Sequence, residues 1–156
     1  MPRRRLSTEE RTHRDDEGAA ALEFILAGVI LLVPLVYLIV ALGAVQGQTL
    51  GAEAGARHIA RAVATAPDAE AAGARSDAIL AAIIDEYGLA PESVEVAVTC
   101  TPAGTACPAS GATLHVTVAT RVALPLMPPV WGLDRIASVP VEAVAVQKVS
   151  RFWGER

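Results

Sequence analysis

The longest single pattern in the chain is apolar. From Phe24 to Val45 it runs for 22 residues, and only Gly28, Pro34 and Gly43 fall outside the hydrophobic set. No polar stripe interrupts the run, so it predicts a helix that is hydrophobic all round. A helix of that length reaches about 33 Å, enough to cross a hydrocarbon core of roughly 30 Å. Pro34 sits mid-span. It removes one hydrogen bond and predicts a kink, which membrane helices tolerate. An ordinary secretory signal is the competing reading. Its apolar region is usually about 7–15 residues long, shorter than this one. Ala41-Leu42-Gly43 nevertheless offers a small-residue cleavage site.

Small residues follow. Gly43, Gly47, Gly51 and Gly55 recur every four positions, which on a helix makes one nearly straight stripe. Two readings stay open: a seam for another helix, as in membrane GxxxG motifs, or a flexible stretch that frays. Ala52, Ala56, Ile59 and Val63 then make a thin apolar face. Glu53 and Arg57 have the spacing of an i,i+4 pair, and His58 falls on the polar side. Ala66-Pro67-Asp68 ends this helix and starts a second, with Asp68 as N-cap. The second helix runs to about Tyr87, with Ala78, Ile79, Ala82 and Ile83 as its apolar face and Gly88 as its stop.

Beyond Gly88 the period changes to two. Valines alternate in Ser93–Cys100 and again, with Leu114, in Ala112–Val122. His115 falls on the face opposite Leu114 and Val116, a solvated position. A third strand is expected over about Ile136–Val149, with Pro140 marking an edge or a strand start. The order predicts an α+β chain. A long N-terminal membrane helix continues outside the membrane, a second helix follows, and a small three-stranded antiparallel sheet ends the fold. The divisions are a charged leader over 1–18, a transmembrane helix over 19–45, an Ala/Gly-rich helix extension over 46–66 and a small extracytoplasmic α+β domain over 67–156.

Composition changes this picture little. The chain is 53% hydrophobic and 19% charged, which excludes a disordered tail. Net charge is −4 and Lys148 is the only lysine. No basic face is apparent outside the first residues, so no nucleic-acid partner is expected. Nor is there a phosphate loop, a nucleophile elbow or a metal motif. The chain is therefore read as a non-enzyme without a cofactor, and no catalytic or metal-binding residues are assigned. Cys100 and Cys107 flank a turn-rich link. A disulfide, free thiols and a metal site are the alternatives there; too few ligands surround the pair for a metal, and the oxidising side of the membrane favours the disulfide. The apolar link from Val122 to Leu133 either covers the core or forms a contact patch. The tail with Arg151, Phe152, Trp153 and Arg156 either makes contacts or frays.

Orientation follows from arginines. Five lie before the apolar run, while only Arg57 and Arg61 follow closely after it. The N-terminus is expected in the cytoplasm and the C-terminal domain outside, in a single-pass protein of the cell membrane. Glu23 is out of place for a plain anchor. A carboxylate costs up to about 2.5–3.5 kcal/mol at a bilayer centre and less near the interface. Taken alone, it is also compatible with a helix start near the headgroups.

With its neighbours it reads differently. Asp15-Asp16-Glu17-Gly18-Ala19-Ala20-Ala21-Leu22-Glu23-Phe24, followed by a membrane helix, resembles the class III signal peptide of type IV prepilins and pseudopilins. The resemblance implies that a prepilin peptidase cuts between Gly18 and Ala19. It also implies that Glu23 pairs with the Ala19 amine of a neighbouring subunit, and Phe24 fits the aromatic that often follows this glutamate. The Ala/Arg-rich segment after the helix, the short length and the β-rich C-terminal half resemble the TadE-like family, pseudopilins or minor pilins of the tight-adherence, Flp-type pilus system. The likeness lies mainly in Gly18 to about Val63. It implies a pilin-like fold, a role in pilus assembly through helix packing, and other pilin or pseudopilin subunits and assembly machinery as partners. The alternative is a single-pass anchored extracytoplasmic binding domain without prepilin processing. A domain released by ordinary signal peptidase is the third reading.

Overall fold

In the computed structural model, residues 9–103, 106–126 and 137–153 are described, with side chains from residue 21 onward. The chain is α+β, in the expected order. Helix α1 (Glu9–Ala64) is one helix of 56 residues, and Pro34 lies inside it without ending it. Two compact units divide the chain, residues 1–40 and Ala41–Arg156. The described part of the first unit is entirely helical.

The second unit begins with the last turns of α1. Helix α2 (Ala69–Tyr87) follows, with both ends set by local chemistry. At its start the Asp68 carboxylate accepts from the Ala71 N–H at 2.7 Å, which satisfies one of the first turn's orphan donors. At its end Gly88 takes φ 62° and ψ 38°, a left-handed conformation that costs glycine nothing. A single 3₁₀ turn (Pro91–Ser93) leads to strand β1 (Glu95–Thr101), followed by β2 (Thr113–Ala123) and β3 (Ser138–Lys148).

The strands form an antiparallel meander in the order β1-β2-β3. Val96 pairs with Val118 and Cys100 with Leu114, while Val118 pairs with Ala143 and Val116 with Ala145. Partners directly opposite share a face. One face therefore gathers the alternating residues Leu114, Val116, Val118, Thr120 and Val122 with Val141, Ala143 and Ala145, all buried. The core forms where this face meets Ala52, Ala56, Ile59, Ala60 and Val63 of α1. Thr120 is the only buried polar residue among those described, and its hydroxyl lies 3.1 Å from that of Ser93, which also bonds the Ala90 carbonyl. His115 lies on the opposite face, 3.3 Å from the Thr101 hydroxyl.

Two expected details change. On α2 the covered side chains are Ala72, Ile79, Leu80, Ile83 and Tyr87, whereas Ala78 and Ala82 are exposed. The apolar face is thus rotated from the expected one. Alanine gives a weak signal for the buried side of a helix, because its single methyl loses little in water. Strand β1 is also less covered than its valines imply. Val98 remains 39% exposed although it shares the core face. β1 and β3 are both edge strands, yet the inward residues of β3 are buried, so the difference lies in how little packs over β1.

The connection from β2 to β3 leaves and rejoins at one point, where the Leu124 N–H donates to the Ala137 carbonyl at 3.1 Å. Of the apolar link, Leu126 is exposed and 127–136 lie outside the described residues. In the tail, Trp153 packs against the core, Phe152 is exposed and Arg156 lies outside the described residues.

Leu114 is fully buried near the start of the middle strand. Leu114→Ala is expected to destabilise the C-terminal domain by about 2–5 kcal/mol. Val98→Ala is expected to cost less than about 1 kcal/mol, because part of its side chain stays in water. Urea unfolding of the detergent-solubilised chain measures both.

Candidate functional site

The residues singled out for processing and assembly lie along α1. Gly18 and Ala19 fall within its helical backbone, and their side chains are outside those described. Glu23 is exposed, as are all residues from 21 to 36. Among the described residues no cation pairs with its carboxylate. Phe24, next to it, is 81% exposed. From Leu22 to Leu42 the large aliphatic side chains and Phe24 are exposed, whereas Tyr37 is half-buried with its hydroxyl covered. A helix with no polar face and so little of its apolar surface covered suits lipid or the helices of other chains. The stretch from Ala21 is long and apolar enough to cross a membrane, close to the N-terminus, which fits a single-pass membrane protein.

The glycine ladder divides into two pairs. A methyl added at Gly51 would stand 2.7 Å from Cβ and Cγ of Tyr87, closer than atoms tolerate. One at Gly55 would meet Ile83 at 3.6 Å. These two glycines let α2 lie against α1 within the same domain. Gly43 and Gly47 have nothing within 4 Å of such a methyl. Only this pair is open to a neighbour. Spacing alone does not separate the pairs, since all four fall on one stripe. The signal that does is Tyr87, a large aromatic in the last turn of α2 that needs a flat place to rest.

Cys100 and Cys107 are joined by a disulfide. It ties the end of β1 to the link that leads into β2, a link that also carries cis peptide bonds before Pro102 and Pro108. Residues 104 and 105 of that link lie outside the described ones. His58 and His115 are far apart in sequence and sit on different elements, and His13 has no described side chain.

A feature that spacing did not single out lies beside β3. Arg57, His58 and Arg61 of α1 and Gln147 of β3 line a groove of about 400 Å³. Arg57 bonds Glu53 at 3.2 Å across one helical turn, with both side chains well exposed. An exposed pair of this kind contributes only about 0.3–0.5 kcal/mol, so it leaves Arg57 free to turn to a better partner.

No protein-family model matches the chain, and no curated protein or solved structure matches it either.

The divided ladder makes an experiment possible. Gly51→Leu is expected to destabilise the C-terminal domain by about 1–3 kcal/mol through overpacking against Tyr87. Gly47→Leu is expected not to destabilise it, and to gain up to about 1 kcal/mol from helix propensity. The same urea titration separates them. Removing the disulfide with Cys100→Ser and Cys107→Ser, which opens a loop of about eight residues, is expected to cost about 2.5 kcal/mol. Alkylation mass shifts with and without reductant check the bond directly.

Proposed function

We propose that the chain is a membrane-anchored pseudopilin or minor pilin-like subunit that acts in assembly of a Tad/Flp-type pilus, through helix packing and not catalysis. The leader over 1–18 lies in the cytoplasm and is removed by a prepilin peptidase between Gly18 and Ala19. The C-terminal domain lies outside the cell membrane. Other pilin or pseudopilin subunits are the partners, and nucleic acid is not.

Glu23 carries this reading. It is an exposed carboxylate on a helix whose large neighbours are apolar and equally exposed, and it stands five residues after Gly18. A carboxylate taken out of water needs a cation, because an unpaired buried charge is costly. Cleavage at Gly18 would create one at Ala19, and the amine of a neighbouring subunit would meet Glu23 when two such helices lie side by side. One charge pair in an apolar seam fixes the register of the helices, in the way a single polar residue does in a coiled coil. Gly43 and Gly47, open above, give the neighbour's helix room to approach.

N-terminal sequencing of the membrane-extracted chain tests the reading. Ala19 is the expected first residue. Met1 or Pro2 would replace the reading with an anchored binding domain that escapes processing, and a start near Ala44 would point to ordinary signal peptidase. Glu23→Ala should still be cleaved, but its incorporation into pili should fall by at least about tenfold as the neighbour's amine loses its partner. Normal incorporation would contradict the pairing role.

A further inference from the structure

The C-terminal domain carries two charged surfaces that do not satisfy each other. The first is the end of α2. This helix holds Glu70, Asp77, Asp85 and Glu86 against Arg75, and no basic residue stands in its last turn. Asp85 and Glu86 fall in that last turn and are exposed. Carboxylates there face the negative end of the helix dipole, which disfavours them. The end of α2 is therefore a place where an external cation is stabilising.

The second surface is the groove between α1 and β3. Arg57, His58 and Arg61 line it, with Gln147 of β3 beside them. Among the described residues Arg61 has no ion pair, and Arg57 has only the exposed contact to Glu53. α1 separates the two surfaces. Gly51 and Gly55 face α2, whereas Arg57 lies about 200° around the helix from Gly55.

We infer that the groove lined by Arg57 and Arg61 receives the C-terminal end of α2, with Asp85 and Glu86, from a second copy of this chain. The inference rests on the assembly reading above, whose partner surface it names. The two halves of the contact differ, so the contact is head-to-tail. Each copy offers one half on each flank, and such a contact repeats along a row of subunits instead of closing into a pair. Opposite charges bring the copies together and fix which flank meets which. The groove, at about 400 Å³, has space for short acidic side chains but not for a whole helix.

The test uses two differently tagged full-length copies, co-expressed, extracted in mild detergent and recovered through one tag. Wild-type copies are expected to co-purify, less so at high salt. Arg57→Glu with Arg61→Glu in both copies should cut recovery by about tenfold, and so should Asp85→Lys with Glu86→Lys. One copy of each kind, mixed, should restore most of it, because the unaltered groove of one then meets the unaltered helix end of the other, and both reversals in a single chain should restore it through the reversed charges alone. Neutral variants, Arg57→Gln with Arg61→Gln, should give a smaller loss and keep the test readable if a reversal unfolds the domain. Reversed variants that self-associate like wild type, a mixture that restores nothing, or wild-type copies that do not co-purify would each overturn the contact. N-terminal sequencing of the same material reads the processing separately. An intact Met1 or Pro2 alongside successful charge exchange would remove the pilin reading and leave the head-to-tail contact standing.

Discussion

The C-terminal domain depends on one close approach. α1 offers the sheet Ala52, Ala56, Ile59, Ala60 and Val63, and only Ile59 among these is larger than valine. Small side chains bring the helix axis near the sheet. The valines of β2 share one buried cluster with these residues of α1, as close packing requires. α2 depends on the same economy of volume. It lies against α1 where Gly51 meets Tyr87 and Gly55 meets Ile83. A chain so rich in alanine and glycine gives up helix propensity at every glycine, by about 1 kcal/mol each. At Gly51 and Gly55 that loss is set against the packing of α2 on α1.

The features most readable in the sequence were those with a local cause. Asp68 caps α2 because its own side chain reaches the Ala71 N–H, and Gly88 ends it because of its own backbone freedom. The alternation from Leu114 to Val122 needs only a covered face and an uncovered one. The misses share another property, since each depended on which surface a residue faces. Val98 has the same alternation as Val116, but less of the chain packs over β1 than over β2 and β3. Ala78 and Ala82 satisfy a helical period but are left in water. Gly51 and Gly47 carry the same spacing and meet opposite fates, because α2 covers one and not the other. Period fixes a face, and only tertiary structure says what stands opposite.

The candidate site divides along the same line. The apolar run and the place of Glu23 at its start are plain in the sequence, because each is a matter of composition along one helix. The groove beside β3 is not, since it joins Arg57 and Arg61 to Gln147 across some ninety residues of chain. α1 thus serves two environments with one backbone. Its first part is apolar on all sides, and its last turns are divided between a core face, a glycine face toward α2 and a basic face. Four aligned glycines looked like one device in the sequence, and they are two.

The disulfide has a mechanical side. It spans a sequence separation of 7 residues, which fully extended would reach about 24 Å. Pulled from its two ends, the chain cannot give up that length while the bond is intact. The bridge also sits at the end of β1, so tension transmitted along this strand passes through a covalent bond and bypasses the turn beyond it. Reduction would turn a short, stiff link into an extensible one without changing a single residue of the core.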